Sequence, residues 1–481
     1  MKKALIAICI VVCILAIPVG MWYFFEVKQD EKITEVSTFE QLKTAKDNVK
    51  LLNDIDCNYE TISSISCSSF DGQGFTIKNC VVTASGYNKS ASLFSAGTEV
   101  IKNLNLENIV VKGSDGTGAA VVCVAKCDKI ENVHVKNSKV SCGQGLYGTG
   151  LGRTVARSYI GGIYGGYWEK KEYFYCEIIN CSVEGLEIEI TGYKDSGIYA
   201  DMFAGGIAGG ANKISGCSAV DCKITANATS IYGEPYVGAI AGISKGTIEN
   251  SFAKGCTLTA NAKWYQKNVT LMYSTSSAFV GGIAGETTDN ANIKYCYSES
   301  NGFYVYSSGN LYVGGIAGEM QSGTLTQSYA KSNYIEAGSY MEGNLDSVER
   351  RAGGLVGSAK NGTISSCFAY NDNSFVEKSS GFTNDEDSEF AGLIASAAGV
   401  NVMNCATYNK DIKSVITDEF IVGNTGGTDD CYVSATDYGN AHGCEILSEE
   451  FWVSPNLLQD KLNLFGIYWA LTAGELPRLK I

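Results

Sequence analysis

Apolar residues recur along most of this chain in one short phrase, not in helical or evenly alternating runs. An aliphatic residue is followed three positions on by a small or apolar residue, and two positions later by another. The phrase reads Ile77/Cys80/Val82, Ile101/Leu104/Leu106, Ile130/Val133/Val135, Ile178/Cys181/Val183, Ile214/Cys217/Ala219, Ile248/Ser251/Ala253 and Ile293/Cys296/Ser298. It continues as Leu325/Ser328/Ala330, Ile364/Cys367/Ala369 and Val402/Cys405/Thr407, which makes ten copies. Successive copies start 24 to 48 residues apart. A constant phrase at drifting intervals predicts the coils of a parallel β-solenoid with surface loops of varying length. Side chains on one strand face recur every second residue, so the odd first step predicts a corner. Asparagine precedes the middle position at Asn79, Asn103, Asn132, Asn180, Asn250 and Asn404. It tolerates the left-handed backbone of a tight bend, and its amide can pair with the amide of the next coil.

A second phrase precedes most of these: Gly-Gly-Ile-Ala-Gly at 205–209, 281–285 and 314–318, and Gly-Gly-Leu-Val-Gly at 353–357. Weaker copies occupy 161–165, 238–242 and 391–395. In Val313 to Gly318 both faces are apolar or empty, so periodicity does not say which points inward. Such a strand is covered on both sides or closely approached by another backbone. One coil cannot bury enough to order itself, so neighbours must stack at about 4.8 Å, giving a rod of roughly 45–50 Å for ten coils. The strand edges at both ends need covering. Ser37 or Thr38 followed by Phe39, Leu42 and Ala45 reads as a short capped amphipathic helix leading into a strand at 49–56. The repeat fades over 445–481, where Phe451, Trp452, Leu457, Leu458, Leu462, Phe465 and Trp469 predict a C-terminal cap.

The start of the chain follows a different rule. Lys2 and Lys3 precede an uncharged apolar run from Ala4 to Phe25, which is long enough as a helix to span a bilayer. A signal peptide is shorter and ends at small residues, whereas this run closes on Met21, Trp22, Tyr23, Phe24 and Phe25. The expected topology is a single-pass membrane anchor with a cytoplasmic N-terminus and an extracytoplasmic solenoid. The domains read as a cytoplasmic tip at 1–3, the anchor at 4–25, a linker and N-terminal cap at 26–60, the solenoid at 61–444, and the C-terminal cap. Composition agrees with a folded, turn-rich β protein: 55 Gly, 4 Pro, 45% hydrophobic and 18% charged residues. The net charge of −14 disfavours nucleic acid and anionic lipid as ligands.

With these phrases in view, the chain resembles the GLUG-motif surface proteins of bacteria. The resemblance rests on the Gly-Gly-Ile-Ala-Gly repeats, the Ile-x-x-Cys-x-Ala phrase, the stretch from Phe70 to Ile77, and the closing Trp469 to Leu479 with Gly474, Leu476 and Pro477. It covers most of 37–479 and implies an all-β, right-handed, single-stranded parallel β-helix of the pectate-lyase-like kind, exported and adhesin-like. No His-Glu-x-x-His peptidase motif accompanies it, and no cell-wall sorting signal closes the chain.

Candidate chemistry is sparse. Of the 18 cysteines, Cys80, Cys181, Cys217, Cys296, Cys367 and Cys405 share one repeat column with Ser251, Ser328, Leu104 and Val133. That pattern predicts buried, inert thiols. Export permits disulfides, for which Cys57 with Cys67 and Cys123 with Cys127 are the better candidates and Cys367 with Cys405 a further one. Zinc is disfavoured because no Cys-x3-Cys has a partner pair or a nearby His. His134 points outward on a strand and His442 falls in a loop, neither beside a nucleophile. The carboxylates Asp195 with Asp201, Asp429 with Asp430, and Asp385, Glu386, Asp387 and Glu389 do not recur at coil spacing, so solvated loops are the favoured reading. Aromatic insertions are the best binding candidates: Tyr164, Tyr167, Trp168, Tyr173, Phe174 and Tyr175 in one loop, and Trp264, Tyr265 and Tyr273 in another. They stack on a ligand or fold down over the glycine strand.

The expected function is an adhesin-like binding or scaffold role at the cell surface, with a glycan or protein partner and without catalysis or cofactor. The alternatives are a polysaccharide lyase or hydrolase, which would need clustered acids, and a pure spacer.

Overall fold

A computed structural model describes residues 32–84, 90–116, 118–144, 155–166, 176–192, 199–229, 232–263, 276–339, 349–371, 375–379, 388–409, 419–429, 432–434, 445–446, 449–464 and 468–481. The described residues are mostly β, and apart from an antiparallel pair at Trp469–Ala470 and Arg478–Leu479 their strands stack in parallel, coil upon coil. Among the described residues thirty-three strands join in one continuous sheet and ten in a second, which forms one face of the solenoid. A representative coil comprises β1 (Tyr199–Gly205), β2 (Ala208–Ser215), β3 (Ser218–Val220) and β4 (Lys223–Ala228). The next coil lies on it in register, with Phe203 beside Tyr236, Ile214 beside Ile248, Ala219 beside Ala253 and Ile224 beside Leu258. No helix among the described residues is long and apolar enough to cross a membrane, and the apolar run at 4–25 lies outside them.

The files of core residues follow the sequence phrase. Ile101, Ile130, Ile178, Ile214, Ile248, Ile293, Leu325, Ile364 and Val402 form one continuous internal column. Each is at most 1% exposed. The corner before the middle position is left-handed, with φ of 51° at Asn103, 52° at Asn132 and Asn180, 49° at Asn250 and 51° at Asn404. Asn132 Nδ2 donates to Asn103 Oδ1 at 3.1 Å, so the amides pair from coil to coil.

One copy of the phrase is displaced. Phe70 pairs with Ile101, and Ile77 pairs with Leu106, so Ile77 holds the third position and Phe70 the first. The wider turn between them, through Gln73 (φ 54°) and Gly74 (φ 83°), takes two extra residues. Asn79 and Cys80 consequently belong to a second corner, where Asn108 Nδ2 donates to Asn79 Oδ1 at 3.2 Å.

The cysteine column explains its own composition. Cys181, Cys217, Cys296, Cys367 and Cys405 each direct Sγ to the backbone carbonyl two residues back, at 3.2–3.4 Å. Ser251 and Ser328 donate to the same carbonyl position at 2.8 Å. A short side chain that hydrogen-bonds across the bend fits there, and both Cys and Ser qualify.

The N-terminal end is covered by α1 (Phe39–Lys43), capped by a reciprocal pair in which Thr38 Oγ1 accepts from Gln41 N and Gln41 Oε1 accepts from Thr38 N. Its Leu42 is fully buried. The C-terminal segment lies along the flank of the coils. Phe451, Trp452, Trp469 and α2 (Pro455–Leu462) pack on Tyr329, Phe368, Ala406 and Tyr408. Trp469 Nε1 donates to Gln327 Oε1 at 2.6 Å.

Candidate functional site: an acidic slot beside a ring ladder

The glycine phrase is a bend. β1 and β2 meet at Gly205 and Gly206, and their outer faces close on each other. A Cβ on Gly205 would lie 2.0 Å from the Ala208 carbonyl oxygen, and one on Gly209 would lie 2.9 Å from that of Phe203. Only glycine lets two backbones approach so closely. Ile207 fills the core on the inner side. Repeated over successive coils, this bend makes a re-entrant slot with two walls.

On the first wall, Tyr159, Phe203, Tyr236, Phe279 and Tyr312 form a ladder with ring centroids 4.5–5.3 Å apart and planes 5–23° from parallel. The rings spend their faces on each other, and each is at most 8% exposed. Two residues before the first three rings stand Arg157, Asp201 and Glu234, in register. Arg157 Nε donates to Asp201 Oδ2 at 2.9 Å, and the Tyr236 hydroxyl donates to Glu234 Oε2 at 2.7 Å.

The second wall aligns Gly210, Ile243, Glu286, Glu319 and Ser358 in register. Ile243 packs with the ring ladder, which places the walls face to face. Glu286 is 5% exposed and accepts from Gln321 Nε2; Glu319 is 4% exposed and pairs with Lys360 Nζ at 2.7 Å.

Four carboxyl groups from four coils therefore share one poorly solvated slot, with Arg157 and Lys360 each paired to one of them. Burial first, and then the neighbouring Glu319, Glu234 and Asp201, push Glu286 up to about 8. Burial likewise raises Glu234 to about 7; the Tyr236 hydrogen bond opposes the rise, while Asp201 and Glu319 add to it. Asp201 is also raised by burial, against the pull of Arg157. Near neutrality, then, Glu234 and Glu286 can both give and take protons. They can hydrogen-bond hydroxyls in either sense or act in acid–base chemistry.

This stacking corrects the expectation that acids do not recur at coil spacing. Asp201 and Glu234 each lie four residues before the first glycine of their bend, and Glu286 and Glu319 directly follow its last. Alignment on the Ile-x-x-Cys phrase hides this, because loops of different length intervene; alignment on the glycines exposes it.

The aromatic candidates fare otherwise. Tyr164 is fully buried in the core, so it is not a surface ligand-binding ring. It holds the coil position between Cys123 and Ala208. Tyr167, Trp168, Tyr173, Trp264 and Tyr265 lie outside the described residues, as do Asp195 and His442. His134 is half-buried on the outer face and, against the expectation, does stand beside a serine, with Nδ1 2.8 Å from Ser182 Oγ of the next coil; burial lowers its pKa.

The disulfide candidates are also corrected. Cys57 is bonded to Cys80, at a Cα separation of 5.0 Å, and Cys67 is free. The displaced first phrase sets Cys80 in the coil next to Cys57. Cys123 and Cys127 are free, buried thiols in mutual contact.

No family model matches this sequence, and no curated protein matches it. Among solved structures it is similar to a chain described as a "putative immunoglobulin A1 protease from Bacteroides ovatus", with 16% identity, coverage of 77% of this chain and 84% of that one, and a TM-score of 0.27.

Proposed function

We propose that this chain is a cell-surface binding protein of the GLUG-motif type: a right-handed β-helix carried outside the membrane by an anchor at 4–25, with the acidic slot as its recognition surface. The slot itself carries the reading. Burying four carboxyl groups together opposes folding, and the ring ladder alone would already hold these coils in line. Carboxyl groups poised between protonated and charged forms suit a hydroxyl-rich ligand such as a glycan, which needs both donors and acceptors. The rim adds charge, since Lys360 and Glu349 have side chains 53% and 45% exposed.

Glycan-array binding by the purified protein tests this. The Glu234→Gln/Glu286→Gln double variant should weaken the captured glycan by about tenfold or more, equivalent to about 1.4 kcal/mol or more. Undiminished binding would move recognition away from the slot.

One observation favours catalysis as a second reading. Glu234 and Glu286, on opposite walls of the slot, are both raised toward neutrality, as the acid and base of a polysaccharide-cleaving pair require. Sugar release from acidic polysaccharides that disappears in Glu286→Gln would establish an enzyme and displace the binding role.

A further inference from the structure

The corner cysteines of neighbouring coils are stacked on each other, not scattered. Ser182 lies beside Ser218 in register, so Cys181 and Cys217, one residue earlier, are coil neighbours. Cys181 N donates to Cys217 Sγ at 3.4 Å, and the two thiols touch. At the second corner Lys223 lies beside Thr257, which makes Cys222 and Cys256 neighbours in the same way, again with thiols in contact. All four are free and at most 2% exposed. In-register parallel strands hold such residues about 4.8 Å apart, inside the range of about 4.4–6.8 Å that a disulfide spans. Cys80, which follows the same second corner as Cys222 and Cys256, is already bonded to the adjacent coil.

We infer that Cys181–Cys217 and Cys222–Cys256 are sites of inter-coil disulfide formation, stapling three consecutive coils through the one that contributes both Cys217 and Cys222. These coils also hold Asp201 and Glu234, so the staples fix the register of the first slot wall. The oxidant is a disulfide donor, either a small molecule or a thiol–disulfide oxidase. The Cys217 thiolate attacks the donor disulfide, forming a mixed disulfide and releasing one thiol. Cys181 then attacks the mixed disulfide, closing its bond to Cys217 and releasing the second thiol. Two protons and two electrons leave the protein, and the donor disulfide is reduced to two thiols. Exchange occurs while the coils are still unstacked, because the finished core admits no donor.

The test refolds the full chain in detergent in a buffer of oxidised and reduced glutathione, then alkylates free thiols in denaturant and maps peptides by mass. Alkylation at Cys181, Cys217, Cys222 and Cys256 should fall about tenfold or more against a fully reduced control, with peptides linking 181 to 217 and 222 to 256. Cys217→Ser should restore alkylation at Cys181 while leaving the 222–256 link. Full alkylation of all four residues would overturn the inference. So would Cys181 paired elsewhere, or a 222–256 link lost in Cys217→Ser.

Discussion

Gly281→Ala should destabilise the solenoid by about 3 kcal/mol, near the top of the range for overpacking a close-packed site. The added Cβ would sit 2.0 Å from the Ala284 carbonyl oxygen and 2.7 Å from both Ala317 Cα and Gly318 N. All three are backbone atoms, and two belong to the next coil, so no rotamer change relieves the clash. Opening the bend would separate the walls of the slot and shift the ladder between Phe279 and Tyr312. Gly74→Ala is the control. That glycine has φ 83° but nothing within 4 Å of its notional Cβ, so alanine there should cost about 1 kcal/mol of backbone strain. Urea unfolding followed by circular dichroism measures both. Equal effects at the two sites would refute the steric origin assigned to the glycine phrase.

The buried acids make stability fall with rising pH. A carboxyl group whose folded pKa exceeds its unfolded value keeps its proton in the native state after the unfolded chain has released it. For Glu286 that window runs from its ordinary 4.5 to about 8, and Glu234 adds to it up to about 7. Across this interval the native state binds more protons, so unfolding becomes easier as pH rises and the loss is complete above the folded pKa. Glu286→Gln removes the ionisable group while preserving its shape. It should stabilise the protein by about 3 kcal/mol at pH 8 and by little below pH 4.5, the ordinary value of a glutamate. Surface carboxylates act in the opposite sense. Asn79 and the Asn58 amide lower Asp56, and Lys213 lowers Glu177, so their contribution is lost only on acidification. Denaturation curves at the two pH values decide it, and a pH-independent effect of Glu286→Gln would count against a buried, raised carboxyl.

How much of this was legible beforehand depended on which residues carried a repeating constraint. The aliphatic file from Ile101 to Val402 could be read because every coil needs a large apolar side chain at that point. The asparagine corners could be read because a left-handed bend admits few residue types. Ile77/Cys80/Val82 misled because the second corner repeats the spacing of the first, so the phrase matches one corner too far along the coil, and the same slip hid the partner of Cys57. The direction of the glycine strands was hidden for a physical reason: glycine has no side chain to mark inside from outside, and the close approach of two backbones leaves no apolar signature. The slot inherited that obscurity. Its acids come from different coils on two facing walls, and they are neighbours only once the bends are superposed.

The most direct measurement is a double-mutant cycle between Glu234 and Glu286, which lie on opposite walls and in different coils. Glu234→Gln and Glu286→Gln should each stabilise the protein at about pH 8, and together they should fall short of the sum of their effects by about 1 kcal/mol, because either change relieves the repulsion between them. Effects that add to within about 0.3–0.5 kcal/mol would mean that the two carboxyl groups do not share a slot, and the stacking that brings them together would be wrong.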